Sequence, residues 1–117
     1  MGNNGITVID VFHDVTMIAS ATEVSEVIPL WAYKPVGNFS LQVLLAGAGA
    51  VIQLTYALSN DGLIYYTPVG ASDIVTAHAV GGAFYEWIPE LAKFATISAI
   101  ETGVNAVTAL NVQLAIQ

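Results

Sequence analysis

Cysteine is absent from this chain, and basic side chains are nearly so: among 117 residues only Lys34 and Lys93 carry positive charge. Without thiols there are no disulfides, no thiolate zinc sites and no cysteine nucleophile. Any fold must therefore rest on a hydrophobic core, and a chain of this length is long enough to bury one. The two lysines stand against nine acids, for a formal net charge of −7. Phosphate backbones and anionic lipid surfaces are bound by clustered Lys and Arg. Neither nucleic acid nor membrane is therefore an expected partner.

Charge of either sign is scarce. Charged residues make up 9% of the chain and hydrophobic residues 56%, against averages of roughly 25% and 45–50%. The surface must then be built largely from Ala, Gly, Ser, Thr, Asn and Gln, which desolvate cheaply. Part of it is expected to be covered by copies of the chain or by another protein. The first ten residues, MGNNGITVID, lack a basic segment followed by an apolar one, so no secretory leader is expected. Ile6 stands where a myristoylation signal needs Ser or Thr.

The longest uncharged run, Leu41–Leu58, has the length of a membrane-spanning helix, but its pattern has a period of two. Phe39, Leu41, Val43 and Leu45 alternate with smaller or polar residues. Beyond Gly47-Ala48-Gly49 the alternation resumes through Ile52, Leu54, Tyr56 and Leu58. This predicts two strands forming a central hairpin.

The same reading places strands at Ile6–Phe12, with Val15–Ala19 extending it or forming a second, and at Glu26–Tyr33, Leu63–Thr67, Ile74–Ala79, Ala83–Ile88, Lys93–Glu101 and Val104–Ile116. In the last of these Ala106, Thr108, Leu110, Val112, Leu114 and Ile116 share a face. Pro29 marks the Glu26–Tyr33 segment as an edge or a bulge. Lys34–Asn38 reads as a turn. Asp61-Gly62 is the strongest turn signal, because both residues tolerate positive φ. Strands recurring with turn signals between them predict one all-β domain over residues 1–117, an antiparallel two-sheet sandwich with residues 1–20 as an N-terminal strand or arm. Leu54, Leu110 and Val112 are expected in its core. Ile6–Phe12 and Val104–Ile116 are expected to be edge strands without a lysine to blunt them, which favours burial in a homo-oligomer.

The segments FSLQV, VIQLTYALSNDGLIYYTP, FATISAIE and LNVQLAIQ are similar, over roughly residues 25–117, to a pattern in small bacteriophage and prophage structural proteins. The resemblance implies a jelly-roll-like sandwich and a place in a virion, as decoration, tail or fibre component, among other virion proteins. It assigns no functional residue, and the first 20 residues lie outside it.

Few residues invite chemistry. His13 and His78 are the only histidines. Asp14 adjoins His13 but points to the opposite face of a regular strand. A triad with Ser72 or Ser98 would need long-range placement that no motif indicates, since there is no G-x-S-x-G elbow. Glu86 and Glu90 flank Trp87, and Glu23 lies close to Glu26. These are the carboxylate pairs available for acid–base work on a glycoside, although solvated loop acids are the simpler reading. Asn60-Asp61-Gly62 resembles part of a calcium loop, but the next acid is Asp73, too late for one. Gly47-Ala48-Gly49 and Gly81-Gly82 lack the Lys-Ser/Thr of a phosphate loop.

Aromatic residues remain as candidates for ligand or interface contacts: Trp31 and Tyr33 on one strand face, Tyr65 and Tyr66 on opposite faces, and Tyr85 and Trp87 on a shared face. Packing in the core and at corners is the plainer account of Trp31, Tyr56, Phe84 and Trp87. The expectation is a non-catalytic structural or assembly protein without cofactor or metal, located in a virion or otherwise in the cytoplasm. The alternative is a carbohydrate- or host-surface-binding module that uses exposed Trp and Tyr.

Overall fold

The computed structural model describes residues 6–33 and 39–117. The turn predicted at residues 34–38 lies outside the described residues, as does the Tyr33 side chain. Among the described residues there are eight strands: β1 (Thr7–Met17), β2 (Thr22–Val24), β3 (Phe39–Ala46), β4 (Val51–Ser59), β5 (Val75–Ala79), β6 (Gly81–Glu86), β7 (Phe94–Glu101) and β8 (Val107–Ile116). They form two four-stranded antiparallel sheets, β1-β8-β3-β6 and β2-β7-β4-β5. The fold class read from the sequence, an all-β two-sheet sandwich, is the one observed.

The strand order has a simple logic. β1 pairs with β8, β2 with β7, β3 with β6 and β4 with β5. The chain is thus one long hairpin of strand pairs, laid alternately into the two sheets and joined by the β3–β8 and β4–β7 contacts. This is the double-sheet jelly-roll arrangement.

Two expectations of pairing are corrected. β3 and β4 do not form a hairpin, because the chain crosses from one sheet to the other at residues 47–50. Alternation shows that each strand has one buried face, but a hairpin and an inter-sheet arch share that property. β8 is not an edge strand either. It lies between β1 and β3, which explains how it can be long and apolar without lysine.

Local chemistry accounts for the other differences. Val15–Met17 continues β1 through register irregularities. Glu26–Tyr33 is not a strand. Ile28 makes an isolated bridge to Ala95, and Leu30–Tyr33 is a single 3-10 turn. Pro29 has no N–H to give to a ladder, and its carbonyl accepts the Ala32 amide at 2.9 Å. Leu63–Thr67 is reduced to the Leu58–Tyr66 bridge. In β8 the inward series begins at Leu110, with Val107 buried and Thr108 exposed, so the face predicted from Ala106 onward holds only for its later members.

The core lies between the sheets. Leu41, Val43 and Leu45 from β3 and Leu110, Val112, Leu114 and Ile116 from β8 meet Ile52, Leu54, Ala95, Ile97 and Ala99 from β4 and β7. Leu54, Leu110 and Val112 are fully buried. No helix among the described residues is long and apolar enough to cross a membrane.

Candidate interaction site at the long-loop end

The jelly-roll path gives the two ends of the sandwich different characters. One end is made by the short connections at residues 18–21, 47–50, 80 and 102–106, and the other by the described part of the β2–β3 connection, 25–33, with the long connections at 60–74 and 87–93.

Buried polar contacts tie the short end together. Glu101 ends β7 on its inward-facing side and is 2% exposed. Its Oε1 accepts the amides of Ser20 (2.9 Å) and Asn105 (3.0 Å), and its Oε2 accepts those of Gly103 (2.7 Å) and Val51 (3.2 Å). Burial alone would raise this carboxyl. The amides of Ser20, Val51, Asn105 and Gly103 outweigh it and hold the group down at about 2. One side chain therefore anchors three separate connections. Sequence reading missed it, although its parity with Ala95, Ile97 and Ala99 on β7 was the available signal.

The long-loop end is organised around the Ser59–Gly62 turn. Asp61 Oδ1 accepts the Ser59 hydroxyl and the amides of Leu63 and Ile64, at 2.8, 2.8 and 3.1 Å. Ser59 Oγ in turn accepts the Gly62 amide at 2.9 Å. The amides of Leu63 and Ile64 and the Ser59 hydroxyl hold the Asp61 carboxyl below the usual range. Gly62 sits at φ 77°, the conformation predicted for it. Asn60 Oδ1 accepts the Lys93 amide at 3.2 Å, and the Lys93 carbonyl accepts the Trp31 amide at 3.2 Å. The three long connections are thereby held to one another.

Beneath them Trp87, 3% exposed, packs against Phe39 and Tyr56 with ring centroids 5.5 and 5.4 Å apart. Tyr56 donates to Glu90 at 2.7 Å. Burial, with the hydrogen bond to Glu90 and its charge, pushes the Tyr56 phenol up to about 12.

On this scaffold the loops expose large apolar side chains: Trp31, Leu63, Ile64, Tyr66, Val69, Ile88 and Leu91. A groove of about 520 Å³ runs among Leu58, Asn60, Asp61, Ile64, Tyr66 and Leu91. A smaller cleft of about 280 Å³ lies beside it, lined by Tyr56, Asp73, Glu86, Trp87 and Glu90 among others.

The five candidate aromatics whose side chains are described divide accordingly, Tyr33 being the sixth. Trp31 (59% exposed) and Tyr66 (70%) present surface, with Trp31 on the 3-10 turn rather than on a strand. Tyr65 is half-buried and its hydroxyl approaches the Gly62 carbonyl at 3.4 Å. Trp87 belongs to the core. Tyr85 packs against that core, with its hydroxyl 2.7 Å from His78 Nδ1. The other ring nitrogen of His78 is 2.8 Å from the Gly81 carbonyl, which can only accept, so Nε2 is the protonated nitrogen and the Tyr85 hydroxyl donates to Nδ1.

The remaining polar candidates are dispersed. His78 is buried on β5, whereas Ser98 lies on the outer face of β7, two strands away in the same sheet, and Ser72 lies in a loop. His13 and Asp14 do not point to opposite faces as a regular strand would place them. Asp14 occupies an irregular stretch of β1 at φ 49°, and its carboxylate lies 3.4 Å from His13 Nε2. The amide of Asp14 donates to Asn111 Oδ1 at 2.9 Å, and Asn111 Nδ2 donates back to Asp14 at 3.1 Å. Among the described residues no three His, Asp or Glu side chains are gathered as a metal site would need. No protein-family model matches the chain, and no curated protein matches it.

Proposed function

We propose that this chain is a non-catalytic assembly protein, a structural component of a virus-like particle, that docks through its long-loop end. The observation that carries this reading is the cluster of exposed Trp31, Leu63, Ile64, Tyr66, Val69, Ile88 and Leu91 on loops fixed to one another by hydrogen bonds. Large apolar side chains on one end suit a desolvated protein interface, with the charged Asp61, Asp73, Glu90 and Lys93 standing on the same loops. Aliphatic side chains dominate the cluster, and sugar recognition would call instead for an open aromatic plate ringed by hydrogen-bonding groups. The jelly-roll path adds support, since capsid domains use it, but lectins and cupins do too. Assignment to a particle therefore rests also on the similarity to phage structural proteins.

A carbohydrate-binding role has one observation in its favour, the cleft where Asp73, Glu86 and Glu90 surround Trp87. The burial of Trp87 removes the stacking surface such a role would use. Electron microscopy of the purified protein, alone and mixed with candidate particles, tests the assembly reading. Ordered oligomers or regular decoration would support it. A dispersed monomer that decorates nothing and is stabilised by a glycan would replace it.

A further inference from the structure

The two open sides of the sandwich are unlike. On one, β5 and β6 are joined by a tight turn and by the buried His78–Tyr85 contact. On the other, the edges of β1 and β2 stand apart over a cleft of about 570 Å³. Its walls include the half-buried Val11 and Val15 and the buried Ile28, and its rim carries Glu23 and Glu26; Asp10 borders it too, with its carboxylate turned to accept Gln113 Nε2 at 3.2 Å. All three acids are exposed, and the carboxylates of Glu23 and Glu26 have no hydrogen-bond or ion-pair partner among the described residues. Among the described residues neither Lys nor Arg lines the cleft.

We propose that this cleft binds a short extended segment of a different protein, one carrying Lys or Arg on either side of one or two apolar side chains. The apolar walls would take the apolar residues, and the acidic rim would take the flanking cations. Charge complementarity selects the occupant. A second copy of this chain cannot supply it, because the sequence holds two separated lysines and no basic run. Twofold pairing of β1 edges would also set acid against acid, and the register irregularities between Asp10 and Met17 interrupt the ladder such pairing requires. The cleft runs along the side of the sandwich, and of the long connections only residues 25–29 line it, so its test is separate from docking through Tyr66 and Leu91.

The test is fluorescence anisotropy with a labelled nine-residue peptide alternating Lys and Val, against its Glu/Val counterpart. The Lys/Val peptide should bind at low salt and weaken as salt rises, while the Glu/Val peptide should not bind. The variant Glu23→Gln/Glu26→Gln should weaken binding by at least about fivefold, the scale expected for losing two rim contacts. The variant Asp73→Asn/Glu86→Gln removes the same two charges elsewhere and should leave it unchanged. All four positions are exposed, and circular dichroism of both variants is the check that they fold. Equal weakening by the two variants would show attraction to net charge alone and overturn the proposal. So would failure of the Lys/Val peptide to bind.

Discussion

The carboxylate of Glu101 accepts the amide of Ser20 at 2.9 Å across 81 positions of sequence. That contact joins the β1–β2 connection to the end of β7, and the same side chain reaches the β3–β4 and β7–β8 connections. Ser20 and Val104 beside it hold φ of 62° and 58°, conformations that non-glycine residues keep only when their surroundings impose them. Glu101→Gln replaces an acceptor-only oxygen with an amide NH₂ facing N–H donors. The variant should lose several degrees of thermal stability while keeping its β signal.

The pH dependence follows from the same group. Its folded value of about 2 lies below the ordinary 4.5, so its contribution to stability is fully present above about pH 4.5. That contribution is lost as the pH falls from there towards 2. Thermal melts of the wild type and Glu101→Gln should differ most near neutral pH and converge across this acid window. A constant gap down to pH 2 would show that the carboxylate charge is not what holds the loops.

Glycine positions offer a graded test. A Cβ at Gly103 would meet the Gly49 carbonyl oxygen at 2.6 Å and Glu101 Oε2 at 3.0 Å. At Gly62, φ is 77° and the nearest atom is a Phe94 ring carbon at 3.3 Å. Gly62→Ala should cost about 1 kcal/mol, and Gly103→Ala more, because backbone must move. Gly82, on β6 with nothing nearer than 3.7 Å, should accept Ala at no measurable cost. Calcium should leave the wild-type melting temperature unchanged, since Asp61 Oδ1 is already occupied by three donors.

In the core, Leu54 is fully buried, and Leu54→Ala should cost about 2–5 kcal/mol by chemical denaturation. Tyr85→Phe removes the hydroxyl that donates to His78 Nδ1 and leaves a buried acceptor unsatisfied, for about 1–3 kcal/mol. A loss under about 0.5 kcal/mol at Leu54 would contradict its placement.

The legible part of this fold was whatever a single strand records about its own two faces. Alternation in 39–46, 51–58 and 94–101 identified β3, β4 and β7 and put Leu54 inside. Pairing was not legible, because β1 meets β8 across the whole chain and no local pattern states a partner. The inter-sheet arch at 47–50 and the internal place of β8 follow from that long-range pairing. The carboxylate at 101 merely closed a predicted strand, with no partner legible nearby, and the Asp14 irregularity was hidden by continuous β propensity. At the long-loop end, composition revealed a charge deficit and candidate aromatics. It could not reveal that Trp31 and Tyr66 face solvent while Trp87 is buried beneath them.

On the proposed function, the exposed apolar side chains of the long loops mediate association. Sedimentation velocity at low micromolar concentration and high salt, on the wild type and on Tyr66→Ser/Leu91→Ser, tests it most directly. Both positions are exposed, so the variant should fold as the wild type does. The account predicts a defined wild-type assembly that survives salt, because apolar burial is not screened, and a variant shifted towards monomer. A wild type that remains monomeric at every concentration, alone and with candidate particles, or an assembly the double substitution leaves intact, would contradict it.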